Sequence, residues 1–90
     1  MLEKEVEKYF NQEIKKIGGL SMKFVSPGKN GVPDRLVLLK GNVYFVELKK
    51  PGEKPRALQI KIHKEFEEQG FPVTTIDTKE SVDNFIAIIK

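Results

Sequence analysis

The sequence predicts an α/β fold in which helices flank a mixed four-stranded sheet. Apolar residues recur at steps of three and four at both ends of the chain and after its middle, a spacing typical of amphipathic helices. Short apolar runs between glycine-containing turns indicate three strands before the middle helix and one strand after it. The predicted order is therefore α-β-β-β-α-β-α, with no repeat and no linker that would divide the chain.

The first half of the chain begins with a predicted helix over residues 2–17. Gly18-Gly19 ends it, because glycine tolerates the left-handed conformation common at helix C-termini. Residues 20–25 alternate apolar and polar side chains, which predicts a short strand. The turn-rich loop of residues 26–33 has no periodicity, and its length in so small a domain favours a functional role.

Two apolar runs, residues 35–39 and 43–48, predict a tight β-hairpin. Gly41-Asn42 suits its two-residue turn, because such turns require positive φ angles. The second run is apolar on both faces, so we expect it to be a central strand with cover on each side.

The second half of the chain predicts a helix over residues 56–69, a strand over 71–76 and a last helix. The right-handed crossover should place the strand parallel to residues 43–48. Asp77 and Glu80 have the spacing of a capping box at the start of the last helix. The side chains of the middle helix that should face inward are Leu58, Ile62 and Phe66.

Composition limits the possible functions. The 90 residues include no cysteine and one histidine, which excludes a disulfide, a thiolate nucleophile and a zinc–thiolate cluster. The length predicts a single domain over residues 1–90, and the net charge of +3 permits a polyanion partner. No apolar run is long enough for a membrane span, and residues 2–10 are too charged for a signal peptide. We expect a cytoplasmic protein without a membrane partner, in the host cell cytoplasm if the chain is viral.

Charged side chains converge at the open end of the predicted hairpin. A turn at Gly41-Asn42 pairs residues whose numbers sum to 83, so Asp34 faces Lys49. Asp34 and Glu47 then share a face as diagonal neighbours, with roughly 7 Å between their Cβ atoms. A simple ion pair between Asp34 and Lys49, with Glu47 emerging into solvent, is one explanation.

Metal-assisted chemistry is the other explanation for this group. Two carboxylates a few ångströms apart repel each other unless a cation lies between them, and hard oxygen ligands suit Mg²⁺, with Mn²⁺ as an alternative. Leu48, between Glu47 and Lys49 in the sequence, can add its backbone carbonyl. Lys49 beside a metal-bound water can orient it or neutralise charge on a phosphate. These are the parts of a metal-dependent phosphodiesterase.

The segment Val32-Pro33-Asp34, followed after twelve residues by Glu47-Leu48-Lys49, resembles the PD-(D/E)xK nuclease signature. Its surroundings resemble the VRR-NUC (virus-type replication-repair nuclease) domain over nearly the whole chain. They include an N-terminal helix with glutamates, the run Phe24-Val25-Ser26-Pro27-Gly28 and a helical Gln59. The resemblance implies a restriction-endonuclease-like core. Because the short stand-alone members resemble archaeal Holliday junction resolvases, it also implies a homodimer that cuts Holliday junctions or other branched DNA.

The resemblance also implies catalytic roles for individual residues. Asp34 and Glu47 match the metal ligands, and Lys49 matches the catalytic lysine. Gln59 matches a glutamine that starts the next helix and reaches toward the metal. The family often has a serine or threonine shortly before that glutamine, where this chain has Pro55-Arg56-Ala57, so Arg56 is a candidate for phosphate contact instead.

The family's helix-borne glutamate has two candidates. Glu7 lies eleven residues before Gly18, as in the resolvase-like pattern, and Glu3 lies one turn earlier on the same flank of the apolar stripe. Glu5 falls on the opposite flank. We choose Glu7 with Glu3 as the alternative, although acids in a first helical turn are also favoured by the helix dipole alone.

Polar and basic residues flank the proposed site and are candidates for DNA phosphate contacts, with a solvated loop as the alternative for each. The main candidates are Ser26, Lys29, Lys50, Lys54 and Arg56. Lys23 and Arg35 are further candidates of the same kind. His63 follows Gln59 by one helical turn on the same face, which would bring it toward the DNA; a lone helical histidine of this kind is more often a packing or surface residue.

The leading hypothesis is a Mg²⁺-dependent, structure-specific DNA endonuclease that acts as a homodimer on branched DNA. One alternative is a nucleic-acid-binding module without catalysis, in which the acids are structural. Another is a restriction-type enzyme that reads sequence, for which 90 residues leave little chain.

Overall fold

The computed structural model describes residues 2–90 and confirms the predicted element order. Two strands are shorter than predicted: the first strand ends before Phe24, and the last strand begins after Pro72. The elements are α1 (Glu3–Lys16), β1 (Leu20–Lys23), β2 (Arg35–Leu39), β3 (Asn42–Leu48), α2 (Ala57–Glu68), β4 (Val73–Ile76) and α3 (Lys79–Ile89).

The four strands form one mixed sheet in the order β1-β2-β3-β4. β1 and β2 are antiparallel, as are β2 and β3, whereas β4 runs parallel to β3. The crossover through α2 requires this parallel pairing, as the sequence predicted. β3 therefore lies inside the sheet, with a neighbour on each side.

The hairpin turn consists of Lys40 and Gly41, because the last ladder pair is Leu39 with Asn42. Both turn residues have positive φ, 50° for Lys40 and 81° for Gly41, as a type I′ turn requires. The predicted turn at Gly41-Asn42 was wrong because Lys40 accepts a left-handed conformation, at a cost of roughly 1–2 kcal/mol.

The corrected turn moves the pairing by two residues. Partner numbers sum to 81, as in Leu36 with Phe45, and extending this ladder by one step puts Asp34 opposite Glu47. The predicted pairing of Asp34 with Lys49 was therefore wrong. Because the shift is even, every side chain keeps its predicted face.

One face of the sheet packs against α1 and α3 and forms the apolar core. Side chains at every fourth position of α1 lie against the C-terminal helix, and the rings of Phe10 and Phe85 are 6.0 Å apart between centroids. The buried core residues are Val6, Phe10, Ile14, Val37, Leu39, Val46, Leu48, Ile76, Val82, Phe85, Ile86 and Ile89.

The other face is covered by α2 alone, and this cover is incomplete. Phe45 lies at the centre of an aromatic group, with ring centroids 5.0 Å from Phe66, 5.6 Å from Phe24 and 5.8 Å from Phe71. Phe71 is nevertheless 44% exposed and Leu58 is 48% exposed. The prediction that Leu58 faces inward was wrong, because Gln59 takes the buried position at the start of the helix.

A cap at the start of α3 and a close contact between Gly31 and α2 help to position the elements around the site. Thr78, rather than the predicted Asp77, caps α3, and its hydroxyl oxygen accepts the Ser81 N–H at 3.0 Å. Gly31 lies against Leu58 and has a φ of 85°, so a side chain there would both strain the backbone and meet α2. The loop before Asp34 can therefore pack on this helix.

None of the helices within residues 2–90 is both long enough and apolar enough to cross a bilayer.

Candidate active site

Asp34 and Glu47 lie side by side at the open end of the hairpin. Directly opposed residues on antiparallel strands have Cβ atoms about 4.5–5.5 Å apart, which is closer than the predicted diagonal arrangement. The Leu48 backbone N–H donates a hydrogen bond of 3.1 Å to Asp34 Oδ2. The backbone of β3 thus orients the first carboxylate toward the second.

Glu47 is 1% exposed and lies among polar groups from two elements. Gln59 Nε2 donates to Glu47 Oε2 at 3.1 Å, and Lys49 Nζ lies 3.4 Å from the same oxygen. His63 Nε2 lies 3.4 Å from Oε1. Neither Oε1 nor His63 Nε2 has a hydrogen-bond partner, although both atoms are buried.

The pKa of Glu47 is raised from 4.5 to about 7, chiefly by burial and next by the neighbouring Asp34, while Lys49 opposes the shift. The carboxyl therefore sits in surroundings that disfavour its charge when no cation is near. Burial also lowers the pKa of His63.

The chemistry of this donor set fits a hard divalent cation. A positive ion would relieve both the repulsion between the two carboxylates and the unpartnered state of Glu47 Oε1. In the described part of the chain, no group of three or more acidic, histidine or cysteine side chains is arranged to hold a metal. An ion here would take further ligands from backbone oxygens and water, as suits Mg²⁺, which commonly keeps several waters.

A cavity of about 290 Å³ opens beside Asp34. Glu7 and Glu3 both line it, so the structure brings both candidates for the helix-borne acid to the same cavity as Asp34. Glu5 instead accepts the Leu2 backbone N–H at the start of α1. The lining residues are Glu3, Lys4, Glu7, Lys23, Asp34 and Leu48.

Arg35 holds Glu7 at this cavity. Its Nη1 donates to Glu7 Oε2 at 3.0 Å, and its Nε donates to Ser21 Oγ at 3.0 Å. Ser21 in turn donates to Asn11 on α1. Arg35 is only 9% exposed, so it is a structural partner of Glu7 rather than the phosphate contact that its place in the sequence suggested.

The basic candidates divide into two groups. Lys50, Lys54 and Arg56 are exposed on the loop between β3 and α2 and at the start of α2. Lys29 forms an ion pair of 2.9 Å with Glu65 of α2, and Ser26 lies at the start of its turn, where its carbonyl accepts the Lys29 N–H. Lys29 lines an apolar groove of about 410 Å³ that is separate from the acidic cavity.

Sequence reasoning placed Arg35 among the phosphate contacts and treated His63 chiefly as a packing or surface residue, so it linked neither side chain to an acid of the site. The signal for His63 was present, because it lies four residues after Gln59 and so shares its helix face. For Arg35 the signal was its position in β2 among the residues that face α1. Both are near acids that the sequence had already selected, Glu47 and Glu7.

Comparison with known proteins shows which family the chain is similar to. No model of a known protein family matches the chain. It is 47% identical over 79 residues to "Putative nuclease p44" of Acyrthosiphon pisum secondary endosymbiont phage 1, covering 87% of this chain and 85% of that protein. A solved structure described as a VRR_NUC domain superposes with a TM-score of 0.89 at 33% identity, over 98% of this chain and 97% of the other.

The α/β fold and the matching relatives define the chain as a nuclease of the PD-(D/E)xK type. It belongs to the VRR-NUC family, which confirms the resemblance seen in the sequence.

Proposed function

We propose that the protein is a Mg²⁺-dependent endonuclease that hydrolyses phosphodiester bonds in branched DNA, as a homodimer, in the host cell cytoplasm. The observation that carries the proposal is the buried carboxylate of Glu47, placed opposite Asp34 and 3.4 Å from the Lys49 ammonium. The phage origin of the relative supports the proposed location.

The arrangement is difficult to explain as a structural ion pair. A single lysine faces two neighbouring carboxylates, and a buried Glu47 oxygen has no hydrogen-bond partner. Leaving a buried carboxylate oxygen without a hydrogen-bond partner costs about 1–3 kcal/mol or more. A cation that binds during catalysis would remove that cost. In a DNA-binding module without catalysis, no function would offset the cost of burying Glu47.

In the proposed mechanism, Asp34 and Glu47 would hold the cation, with the Leu48 backbone carbonyl as a further oxygen ligand. When bound, Mg²⁺ supplies a water of lowered pKa and a positive charge beside the phosphate; Mn²⁺ can replace it. Lys49 Nζ orients the attacking water and neutralises charge that develops on the phosphate. Gln59 fixes one oxygen of Glu47 by its 3.1 Å hydrogen bond.

Glu7 is the proposed acid from the N-terminal helix. Arg35 anchors it at the cavity, while Glu3 lies exposed on the preceding turn. Because both acids line the cavity, Glu3 stays the alternative.

DNA reaches the site across a basic surface in this proposal. Lys4 and Lys23 line the cavity itself and suit the phosphates next to the cleaved bond. The exposed side chains of Lys50, Lys54 and Arg56 suit phosphates farther along, with Ser26 as a hydrogen-bond donor. Lys29 contributes only after it leaves its ion pair with Glu65.

The test is cleavage of a labelled four-way junction in MgCl₂. Asp34→Asn and Lys49→Met should each lower the rate by about 10³-fold or more, because each removes a charge that acts on the reacting atoms. Asp83→Asn is the matched control, since Asp83 lies on α3 and accepts the Tyr9 hydroxyl. Undiminished cutting by Asp34→Asn would contradict the assigned chemistry.

Two further arms test the finer parts of the proposal. A linear duplex of the same composition should be cut more slowly than the junction; equal rates would contradict structure specificity. Light scattering should give the mass of two chains for the protein alone and the mass of two chains plus one junction for the complex. Salt-sensitive DNA binding without metal-dependent cutting would favour the binding module instead.

A further inference from the structure

α2 presents two nitrogen atoms to the two oxygens of one carboxylate. Gln59 Nε2 donates to Glu47 Oε2 at 3.1 Å, and His63 Nε2 lies 3.4 Å from Oε1. The two side chains are four residues apart, so they are stacked on the same face of the helix. Each oxygen of Glu47 thus has its own neighbour on α2.

The contact at His63 is the less complete of the two. Its Nε2 and Glu47 Oε1 are both buried and without hydrogen-bond partners, and their 3.4 Å separation is a few tenths of an ångström beyond a usual N–H···O distance. Each atom is therefore the available partner of the other. Hydrogen bonds at catalytic sites often tighten only when the site is loaded.

We propose that His63 is a positioning residue that donates its Nε2 hydrogen to Glu47 Oε1 and, together with Gln59, fixes the rotation of this carboxylate for metal binding. The inference rests on the metal-holding role proposed above for Glu47. With both oxygens held from α2, the remaining lone pairs of the carboxylate are directed away from this helix and toward Asp34. His63 itself touches neither the metal nor the DNA.

Position and burial support a specific role over simple packing. The His63 side chain is only 12% exposed, and an apolar residue there would fill the space while leaving Glu47 Oε1 without its donor. Hydrogen-bond partners of metal ligands typically affect metal affinity by about 10–100-fold when they are removed. The effect of losing His63 should therefore appear in metal binding before it appears in the fold.

The experiment measures how MgCl₂ or MnCl₂ alone raises the unfolding temperature, without DNA, at about pH 8, where an ordinary imidazole is neutral. His63→Leu should need about 10–100-fold more metal than the wild type to reach the same rise in unfolding temperature. His63→Gln should restore most of the affinity, because its amide nitrogen reaches the place of Nε2. Lys64→Leu, at the exposed neighbouring position, is the matched control and should behave as the wild type.

Cleavage assays supply a second readout. The metal concentration for half-maximal cutting of the junction should rise in His63→Leu by the same factor, while the rate at saturating metal changes less. If His63→Leu does not fold, the comparison of His63→Gln with His63→Asn replaces it. The shorter asparagine amide does not reach Oε1, so only the glutamine variant should keep the affinity.

The outcomes separate the two proposals. If neither Mg²⁺ nor Mn²⁺ changes the unfolding temperature of the wild-type protein, the proposed function itself is contradicted. A wild-type protein that responds, with His63→Leu responding equally, overturns only the role of His63. Equal losses in His63→Gln and His63→Leu, both folded, also overturn it, because a merely structural side chain explains that result.

Discussion

The two faces of β3 differ in what they bury. Val46 and Leu48 point toward α1 and α3 and are at most 3% exposed within an apolar core. Phe45 and Glu47 point toward α2, so this face carries both an aromatic group and a buried carboxylate. Alternate residues of one strand therefore serve a dry core on one side and the candidate site on the other.

The difference separates stability from chemistry. Burying ionisable groups such as Glu47 and Lys49 is unfavourable unless they are paired, so the α2 side adds less to stability than its burial suggests. The α1–α3 side has the larger continuous apolar cluster and compensates. We expect substitutions on the two faces to divide into those that unfold the protein and those that disable the site.

The largest expected effect on folding is at Phe10. Phe10→Ala removes a fully buried ring of α1 that packs against Phe85, which should lower the free energy of unfolding by about 3–5 kcal/mol. Phe71→Ala, on the half-exposed α2 side, should lower it by only about 1 kcal/mol. Urea unfolding of both variants measures the contrast. Similar losses would show that the α2 side contributes as much as the core.

The next effect is a pH dependence that belongs to the α2 side. Because the pKa of Glu47 is raised to about 7 in the metal-free protein, the folded state binds more protons than the unfolded state between about pH 4.5 and 7. This contribution to stability is present at low pH and is lost as the pH rises through that window. Metal requires the ionised carboxylate, so its apparent affinity should be roughly 30-fold weaker at pH 5.5 than at pH 8.

The measurement compares unfolding temperatures with and without MgCl₂ at these two pH values. The rise produced by Mg²⁺ should be clearly larger at the higher pH. Glu47→Gln is the control: it should raise the metal-free unfolding temperature at high pH, because a neutral amide replaces a buried charge, and should abolish the response to Mg²⁺. A pH-independent Mg²⁺ effect in the wild type would exclude Glu47 as the ligand.

The smallest effect is at the start of α3. Thr78→Ala removes the cap of the Ser81 N–H and should lower the free energy of unfolding by about 1 kcal/mol. Thr74→Ala, at an exposed position on β4, should change it by less than about 0.5 kcal/mol. Neither variant should alter junction cleavage under conditions where the protein is folded. A loss of cleavage in Thr78→Ala would mean that the two faces are coupled.

Much of the fold could be predicted from local patterns. The apolar stripes of α1 and α3 and the two-sided apolar run of β3 define the elements, because helix and strand periodicities are properties of the chain itself. The α–β crossover fixes the parallel direction of β4, because its handedness depends on local geometry. The sequence also placed Asp34, Glu47 and Lys49 at one end of the hairpin. Their role as a catalytic set stays a prediction.

The tertiary structure alone decided the register and the partners. Both Lys40-Gly41 and Gly41-Asn42 suit a two-residue turn. Only the packing of the strands selects Lys40-Gly41, the turn that puts Asp34 opposite Glu47. The contacts of His63 with Glu47 and of Arg35 with Glu7 join residues that are distant in the chain. Periodicity assigns a side chain to a face, but its neighbour across that face is set by how separate elements pack.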